Sequence, residues 1–316
     1  MKKLRLVIIT QGLSFIVKPL FSSDDEVVGI VESAPRDYVP ESGWSLKSGI
    51  KKLFHKYKGV ESLQHFAKRQ DVPYILLTKN NHDAVEKCVS EWKPDLIVVS
   101  SMSQLLRRSI FDIPPLGTIN IHPAKLPAYR GPNPTLWMYY DMELNPAVTV
   151  HYIDEGEDTG DIIEQDTFSL PIGATMAEYL SREYELALKL LNKAIDRLRL
   201  GKVQGVKQPK DSPTVRARNI TAEEAGGFIP WDKWSVEHVW HFLRGEGDSY
   251  PFICQPKGLY KGQLWRYVSY EKKDERHTVG KIYQEGKRYY LACKDGRIEL
   301  DWMFSGKRFL KMILGM

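Results

Sequence analysis

Short apolar runs alternate with segments of helical periodicity over the first hundred residues, and this alternation constrains the fold more than any other feature. The runs are 4–10, 26–31, 73–77 and 95–100. Their near-continuous apolar character is typical of strands buried on both faces of a parallel sheet. This rhythm predicts an α/β fold with a Rossmann-like parallel sheet. The turn at Gln11-Gly12 lacks a G-x-G-x-x-G pattern, so dinucleotide binding is not expected.

The run 117–132, GTINIHPAKLPAYRGP, is the most informative stretch for function. It begins as a short apolar strand in which Asn120 and His122 are two residues apart. Side chains two apart on a strand point to the same face, so an amide and an imidazole should project together. A loop rich in Pro and Gly follows at once, and α/β folds build their sites in loops at strand ends.

A second polar cluster, DEGEDTGD at 154–161, lies between the strand-like runs 148–153 and 162–168. Taken alone, its acidic residues and two glycines predict a solvated turn. Most of its acids are expected to serve in that turn or in salt bridges. A functional interpretation of this cluster depends on the motifs that precede it in the chain.

In this order, Asn-x-His, Leu-Pro-x-Tyr-Arg-Gly and Asp-Thr-Gly-Asp, the chain resembles the folate-dependent formyltransferases. These include methionyl-tRNA formyltransferase, glycinamide ribonucleotide formyltransferase, sugar-nucleotide N-formyltransferases and formyltetrahydrofolate hydrolases. The resemblance implies 10-formyltetrahydrofolate as co-substrate and no metal. It implies a catalytic triad that carries over onto Asn120, His122 and Asp158, and a cis peptide at Leu126-Pro127.

The resemblance also places other residues at the site. Gly12 is expected to approach the reaction centre, and Tyr129 and Arg130 are expected to close over it and bind the acceptor. His151 is expected to pack rather than to contact the acceptor. The candidates for binding the folate are Ser103, Gln104, Leu105, Leu106, Asp154 and Gly156.

Composition limits the classes of partner. The net charge of +5 permits anionic partners such as a nucleotide, folate glutamates or RNA without requiring them. The three cysteines, Cys88, Cys254 and Cys293, are far apart and lack metal-ligand spacing, so reduced thiols are expected. No apolar run approaches the length needed to span a bilayer. We therefore expect a cytoplasmic protein that does not contact a membrane.

The chain of 316 residues suits one large domain or two modest ones. Beyond about residue 220 short strand-like runs recur, with a hairpin turn marked by Asp295-Gly296. This pattern predicts a small barrel, and the resemblance implies an OB-like one. The predicted organisation is a formyltransferase catalytic domain at 1–205, a linker at 206–219 and an OB-like domain at 220–316. A long helix is predicted from 176 to 200, opened by a capping box of Thr175 and Glu178.

Formyl transfer is attack by a neutral amine on an N-formyl carbon, and it needs a donor for the developing oxyanion. We assign this role to Asn120, with His122 as a second donor and proton-transfer group. Asp158 is expected to orient His122 and to draw the proton from the amine.

The amine acceptor stays open among several classes. The basic insertion at 33–58 reads either as a solvated amphipathic helix or as an arm for an anionic acceptor. It does not match the short Gly-Lys-Lys-containing loop of methionyl-tRNA formyltransferases, which favours a small amine on a nucleotide-linked sugar. The alternatives are methionyl-tRNA, water in a 10-formyltetrahydrofolate hydrolase, or a non-catalytic binding module. The sequence leaves the oligomeric state open.

Overall fold

Runs of Val, Ile and Leu form one central sheet whose inner strands are buried on both faces, as predicted. The computed structural model describes residues 2–36, 38, 61–201, 203–256, 262–306 and 309. Most of the predicted insertion 33–58 therefore lies outside the described residues. The strands are β1 (Arg5–Thr10), β2 (Glu26–Ser33), β3 (Tyr74–Leu77), β4 (Leu96–Ser100), β5 (Thr118–His122), β6 (Ala147–Tyr152) and β7 (Ile162–Thr167).

The strand order is β3-β2-β1-β4-β5-β6-β7. Strands β1 to β5 run parallel, whereas β6 and β7 each pair antiparallel with the preceding strand. The order reverses between β1 and β4, and doubly wound sheets bind ligands beyond the carboxyl ends of the strands at such a point. The loops after β1, β4 and β5 all leave this edge.

The described helices are α1 (Val17–Phe21), α2 (Leu63–Arg69), α3 (His82–Trp92), α4 (Arg108–Phe111), α5 (Pro134–Tyr140), α6 (Met176–Arg199), α7 (Ala222–Ala225) and α8 (Val236–Glu246). One face of the sheet packs against α6, through residues such as Ala187, Leu191 and Leu198. The other face packs against α3 through Val85 and Val89. The predicted capping box of α6 is confirmed, because Thr175 N donates to Glu178 Oε2 at 2.7 Å and Glu178 N donates to Thr175 Oγ1 at 3.3 Å.

A second, antiparallel sheet occupies the C-terminal part. Its strands, β8 (Gln263–Lys272), β9 (Ile282–Glu285), β10 (Arg288–Cys293) and β11 (Gly296–Phe304), lie in the order β8-β11-β10-β9. The predicted hairpin is present, but Cys293 pairs with Gly296, so its turn residues are Lys294 and Asp295 rather than Asp295 and Gly296. The predicted fold class is confirmed: a Rossmann-like sheet is followed by a small antiparallel sheet consistent with a barrel-like domain.

The chain divides into two compact units. The first comprises Met1–Pro132, Ala147–Phe168 and Glu183–Arg216, and the second comprises Asn133–Pro146, Ser169–Arg182 and Ala217–Met316. Residues 206–216, predicted as linker, thus group with the first unit. The bounds 1–205, 206–219 and 220–316 stay a prediction for domains that fold on their own. In the described part of the chain no helix combines the length and apolar character needed to cross a membrane.

Candidate active site

The predicted triad lies at the carboxyl edge of the central sheet. Asn120 and His122 stand near the end of β5, and Asp158 lies in the loop between β6 and β7. Asp158 Oδ1 is 3.5 Å from Asn120 Nδ2, and Asp158 Oδ2 is 3.5 Å from His122 Nδ1. The side chain of His122 is 5% exposed and that of Asp158 is 15% exposed. The structure therefore brings the three side chains together in a largely buried position.

The carboxylate of Asp158 is anchored by the loop after β5. Gly131 N donates to Asp158 Oδ2 at 2.9 Å. Asp158 has φ 56° and Tyr129 has φ 58°, in the left-handed region that non-glycine residues seldom adopt. Each such residue costs about 1–3 kcal/mol and persists only where the surrounding structure holds it. Both loops of the site are thus held in strained conformations.

Both ring nitrogens of His122 face protein oxygens. Nε2 lies 3.0 Å from the carbonyl oxygen of Tyr129, and Nδ1 faces Asp158. Since a carbonyl oxygen only accepts, Nε2 carries a hydrogen in this arrangement. The Nδ1 edge is therefore the one placed for proton exchange with Asp158.

His151 belongs to the site, although the sequence predicted only packing for it. It lies on β6 directly opposite Asn120 on β5. Its Nδ1 is 2.7 Å from the carbonyl oxygen of Tyr152, and its Nε2 is 3.2 Å from Asn120 Nδ2. The signal that could have found it is this cross-strand pairing, because opposite residues of antiparallel strands have adjacent side chains.

His151 is neutral at physiological pH. Burial lowers its pKa to about 4, outweighing the attraction of Asp158. With Nδ1–H donating to Tyr152, Nε2 holds a lone pair and accepts from the Asn120 amide nitrogen. The 3.7 Å separation between His151 Nε2 and Asp158 Oδ1 is consequently not an ion pair at pH 7. His151 thus fixes which way the Asn120 amide faces.

The segment after β4, predicted to line the folate pocket, is hydrogen-bonded to the end of β2, to the loop that follows β2 and to the loop after β1. Ser103 N and Gln104 N donate to Ser33 Oγ at 3.1 and 3.2 Å, and Ser103 Oγ donates to Gln11 Oε1. Gln104 is buried and its Nε2 donates to the Ala34 carbonyl at 3.0 Å. These bonds make Gln104 a structural anchor of the segment.

The two leucines of this segment differ in exposure. Leu105 is 71% exposed. Leu106 is half-buried against the core on the α3 face of the sheet. Of these two leucines only Leu105 is open to solvent, and contact between either one and the folate stays a prediction.

Asp154 and Gly156 shape the acidic loop. Asp154 Oδ1 accepts from Gly156 N at 3.0 Å and from Thr159 Oγ1 at 2.6 Å. A Cβ on Gly156 would lie 1.9 Å from Thr159 Oγ1, so a side chain there would displace the Thr159 hydroxyl that binds Asp154. Asp154 thus holds the turn that precedes Asp158, and folate binding by this pair stays a prediction.

The three residues predicted to contact the acceptor lie in different environments. Gly12 follows β1 with φ 67°, and nothing lies within 4 Å of a Cβ placed on it. Tyr129 and Arg130 are buried, and the bond Leu126–Pro127 that precedes them is cis, as the resemblance implied. The guanidinium of Arg130 donates to Gln208 Oε1 and to the carbonyls of Pro209 and Lys210, at 2.8 to 3.0 Å. Those donors are engaged by the chain itself, so a contact from Arg130 to the acceptor stays a prediction.

Acids, histidines and cysteines are the side chains that most often ligate metal ions in proteins. Within the described ranges, no three or more such side chains are placed to hold a metal ion. The groups around Asp158 are instead one amide, two imidazoles and a backbone N–H. These groups can bind, orient and protonate an organic substrate.

Known proteins resemble this chain in sequence and in fold. The formyl transferase family model matches residues 38–195, half of the chain. A methionyl-tRNA formyltransferase from Geotalea daltonii is 32% identical over 247 residues, 77% of this chain and 76% of that protein. An N-formyltransferase from Helicobacter canadensis, in complex with folinic acid and dTDP-3-aminofucose, superposes with TM-score 0.58 at 18% identity over 94% of this chain and 98% of that one.

HypX from Aquifex aeolicus in complex with tetrahydrofolic acid superposes with TM-score 0.56 at 15% identity, over 95% of this chain and 44% of that one. The chain therefore spans about half the length of HypX. These superpositions establish the fold, and the sequence matches establish the family. The chain belongs to the formyl transferase family, which confirms the predicted enzyme class, an N-formyltransferase dependent on 10-formyltetrahydrofolate.

Proposed function

We propose that the chain transfers the formyl group of 10-formyltetrahydrofolate to the primary amine of a nucleotide-linked amino sugar. The observation that carries the chemistry is the Asp158 carboxylate, 3.5 Å from both Asn120 Nδ2 and His122 Nδ1. An amide donor, an imidazole and a carboxylate around one point are the groups that acyl transfer to a neutral amine requires.

The side chains of the site take separate roles in one acyl substitution at the formyl carbon. The amine nitrogen bonds to the formyl carbon, and the bond from that carbon to folate N10 breaks. One amide hydrogen of Asn120 is directed at His151, and the other, loosely held by Asp158 at 3.5 Å, turns to the formyl oxygen as it gains negative charge. Asp158 and His122 take the proton that the amine loses, and it passes to N10 as that nitrogen leaves.

Two kinds of observation support the sugar nucleotide as acceptor. The Helicobacter canadensis N-formyltransferase holds dTDP-3-aminofucose and matches nearly the full length of both chains. In addition, the sequence lacks the Gly-Lys-Lys loop expected of an enzyme that acts on tRNA.

Methionyl-tRNA is the second candidate acceptor. It is favoured by the curated sequence relatives, since they include methionyl-tRNA formyltransferases, one of which matches at 32% identity over 77% of the chain. A tRNA acceptor would make the KM for it depend steeply on salt, because basic side chains that neutralise phosphates release counterions. A small sugar nucleotide carries few phosphates and would show a shallow dependence.

The test is acceptor-dependent release of tetrahydrofolate from 10-formyltetrahydrofolate. The panel contains dTDP- and UDP-linked amino sugars, charged methionyl-tRNA and buffer alone, with Asp158→Asn as the blank. Turnover with one sugar nucleotide supports the proposal, whereas turnover only with methionyl-tRNA replaces it by the second candidate. Release in buffer alone would indicate a hydrolase, and no release in any arm would favour a binding module. With this function we propose the predicted cytoplasmic location, which cell fractionation checks.

A further inference from the structure

Residues 206–216, which we call the strap, are bonded to both loops that carry the site. The sequence predicts a linker here, because the segment is polar and contains Pro209 and Pro213. In the structure the strap begins with a two-way bridge in which Ile162 and Val206 each donate a backbone N–H to the other's carbonyl at 2.8 Å. This bridge extends the edge of the central sheet beside β7.

Gln208 is the central residue of the strap. Its Nε2 donates to the carbonyl of Asp158 at 3.0 Å and to the carbonyl of Gly160 at 2.6 Å. Its Oε1 accepts from Arg130 Nη2 at 2.8 Å and from Arg130 Nε at 3.3 Å. One side chain thus joins the loop that carries Asp158 to the loop that follows β5.

Two further hydrogen bonds join the strap to the same pair of loops. Thr214 Oγ1 accepts from the backbone N–H of Tyr129 at 2.7 Å. Arg216 Nη2 donates to Glu157 Oε1 at 2.7 Å, next to Asp158 in the chain. The strap therefore holds each loop at more than one point.

The residues that the strap holds are the strained ones. Asp158 and Tyr129 both have positive φ, and the strap bonds the carbonyl of the first and the amide of the second. Such conformations persist only where neighbouring groups fix them. The Gly131 N–H bond to Asp158 Oδ2 then closes the connection between the two loops.

We propose that Gln208 is a positioning residue for formyl transfer, which holds the Asp158 backbone against Arg130 so that the carboxylate faces Asn120 and His122. This inference rests on the role proposed for Asp158. It extends the functional part of the chain beyond residues 38–195, which the family model matches. It also gives Arg130 a structural task, that of binding Gln208.

The test compares Gln208→Glu with the wild-type chain. The substitution keeps the size of the side chain and the acceptor for Arg130, but it removes both N–H bonds to the Asp158 and Gly160 carbonyls. Gln284→Glu is the matched control, because it removes an exposed bond from Nε2 to the Gly286 carbonyl far along the chain. Gln208→Met, uncharged and of similar size, serves as the second variant if Gln208→Glu does not fold.

Two readouts separate positioning from general stability. The first is hydrogen exchange of the Gly131 amide and of residues 154–161, which needs no acceptor. The second is kcat and KM for 10-formyltetrahydrofolate with the acceptor that the panel identifies. We expect exchange at Gly131 to rise at least about 10-fold, and kcat to fall about 10- to 100-fold with KM changed less than about 3-fold. Gln284→Glu should change neither.

Unchanged exchange at Gly131 would overturn the inference, because the strap would then not hold the loop. Faster exchange together with a wild-type kcat would overturn the inference too. The strap would then hold the loop, but the reaction rate would not depend on this. Full activity of Asp158→Asn is a different failure, since it would refute the proposed function and leave the exchange result standing.

Discussion

Replacing His151 by Asn or by Gln tests how the site orients Asn120. An Asn side chain places a donor near the position of Nδ1 and can still bind the Tyr152 carbonyl, but it offers nothing at the position of Nε2. A Gln side chain can reach that position with its carbonyl oxygen and accept from Asn120 Nδ2, now 3.2 Å from Nε2. The two substitutions therefore separate the two bonds of one ring.

The size of the effect follows from the bond that His151→Asn removes. A neutral hydrogen bond contributes about 0.5–1.5 kcal/mol net, which corresponds to about a 2- to 13-fold change in how often the Asn120 amide faces the substrate correctly. We expect kcat to fall by that factor in His151→Asn. In His151→Gln we expect kcat to stay within about 2-fold of the wild type, because the acceptor for Asn120 is kept.

The assay is release of tetrahydrofolate at saturating 10-formyltetrahydrofolate and acceptor, with circular dichroism to check folding. Equal kcat in His151→Asn and the wild type would refute the reasoning. A larger loss in His151→Gln than in His151→Asn would refute it as well, because the bond to Tyr152 would then be the important one.

The same histidine gives a pH dependence whose sign is set by its burial. Burial lowers the pKa of His151 to about 4 from its ordinary value of 6.5, so the folded state disfavours the proton. The contribution of neutral His151 to the free energy of unfolding is fully present above about pH 6.5 and is lost as the pH falls toward 4. This contribution is at most about 3 kcal/mol. His151→Gln should flatten this part of the curve, measured by urea unfolding between pH 4 and 7.

Three further substitutions test other buried groups. Asn120→Ala should lower kcat about 10²- to 10³-fold with little change in KM, because it removes the oxyanion donor; a loss confined to KM would contradict that role. Glu183 is 6% exposed and burial raises its pKa to about 8, so the charged form opposes folding as pH rises from 4.5 to 8. Glu183→Gln should therefore gain stability at pH 8 relative to pH 5, by at most about 5 kcal/mol in urea unfolding, and an equal difference at both pH values would count against this. Asp25 binds Arg199 through both oxygens, at 2.6 and 2.9 Å, and Asp25→Asn should lower the free energy of unfolding at pH 7 by about 3 kcal/mol in thermal or urea melts; a change below about 0.5 kcal/mol would show that the pair is dispensable.

The strands could be predicted, and Asn120, His122 and Asp158 could be singled out as neighbours, because their signals are local; the catalytic roles of these three residues stay a prediction. Asn120 and His122 share a face by the two-residue period of β5, and the motif around Asp158 is continuous in sequence. His151 could not be assigned in the same way. Its contact with Asn120 depends on the register of β5 against β6, which a one-residue shift would abolish.

The strap shows what a prediction of a linker from composition leaves out. Polar residues and prolines are typical of solvated connections, but the same residues can use their polar groups on other parts of the chain. Gln208 and Thr214 do so, on Asp158, Arg130 and Tyr129. These partners lie about 50 to 85 residues away in sequence, a separation that local patterns do not report.

The measurement that tests the central claim most directly is the kcat of Asp158→Asn, with the acceptor that supports turnover in the wild type. Asn keeps the shape of the side chain but cannot take the proton from the amine, so a loss of about 10²- to 10⁴-fold is expected with the unfolding transition unchanged. A kcat within about 3-fold of the wild type would contradict the account, because the carboxylate at the centre of the site would then not serve the reaction.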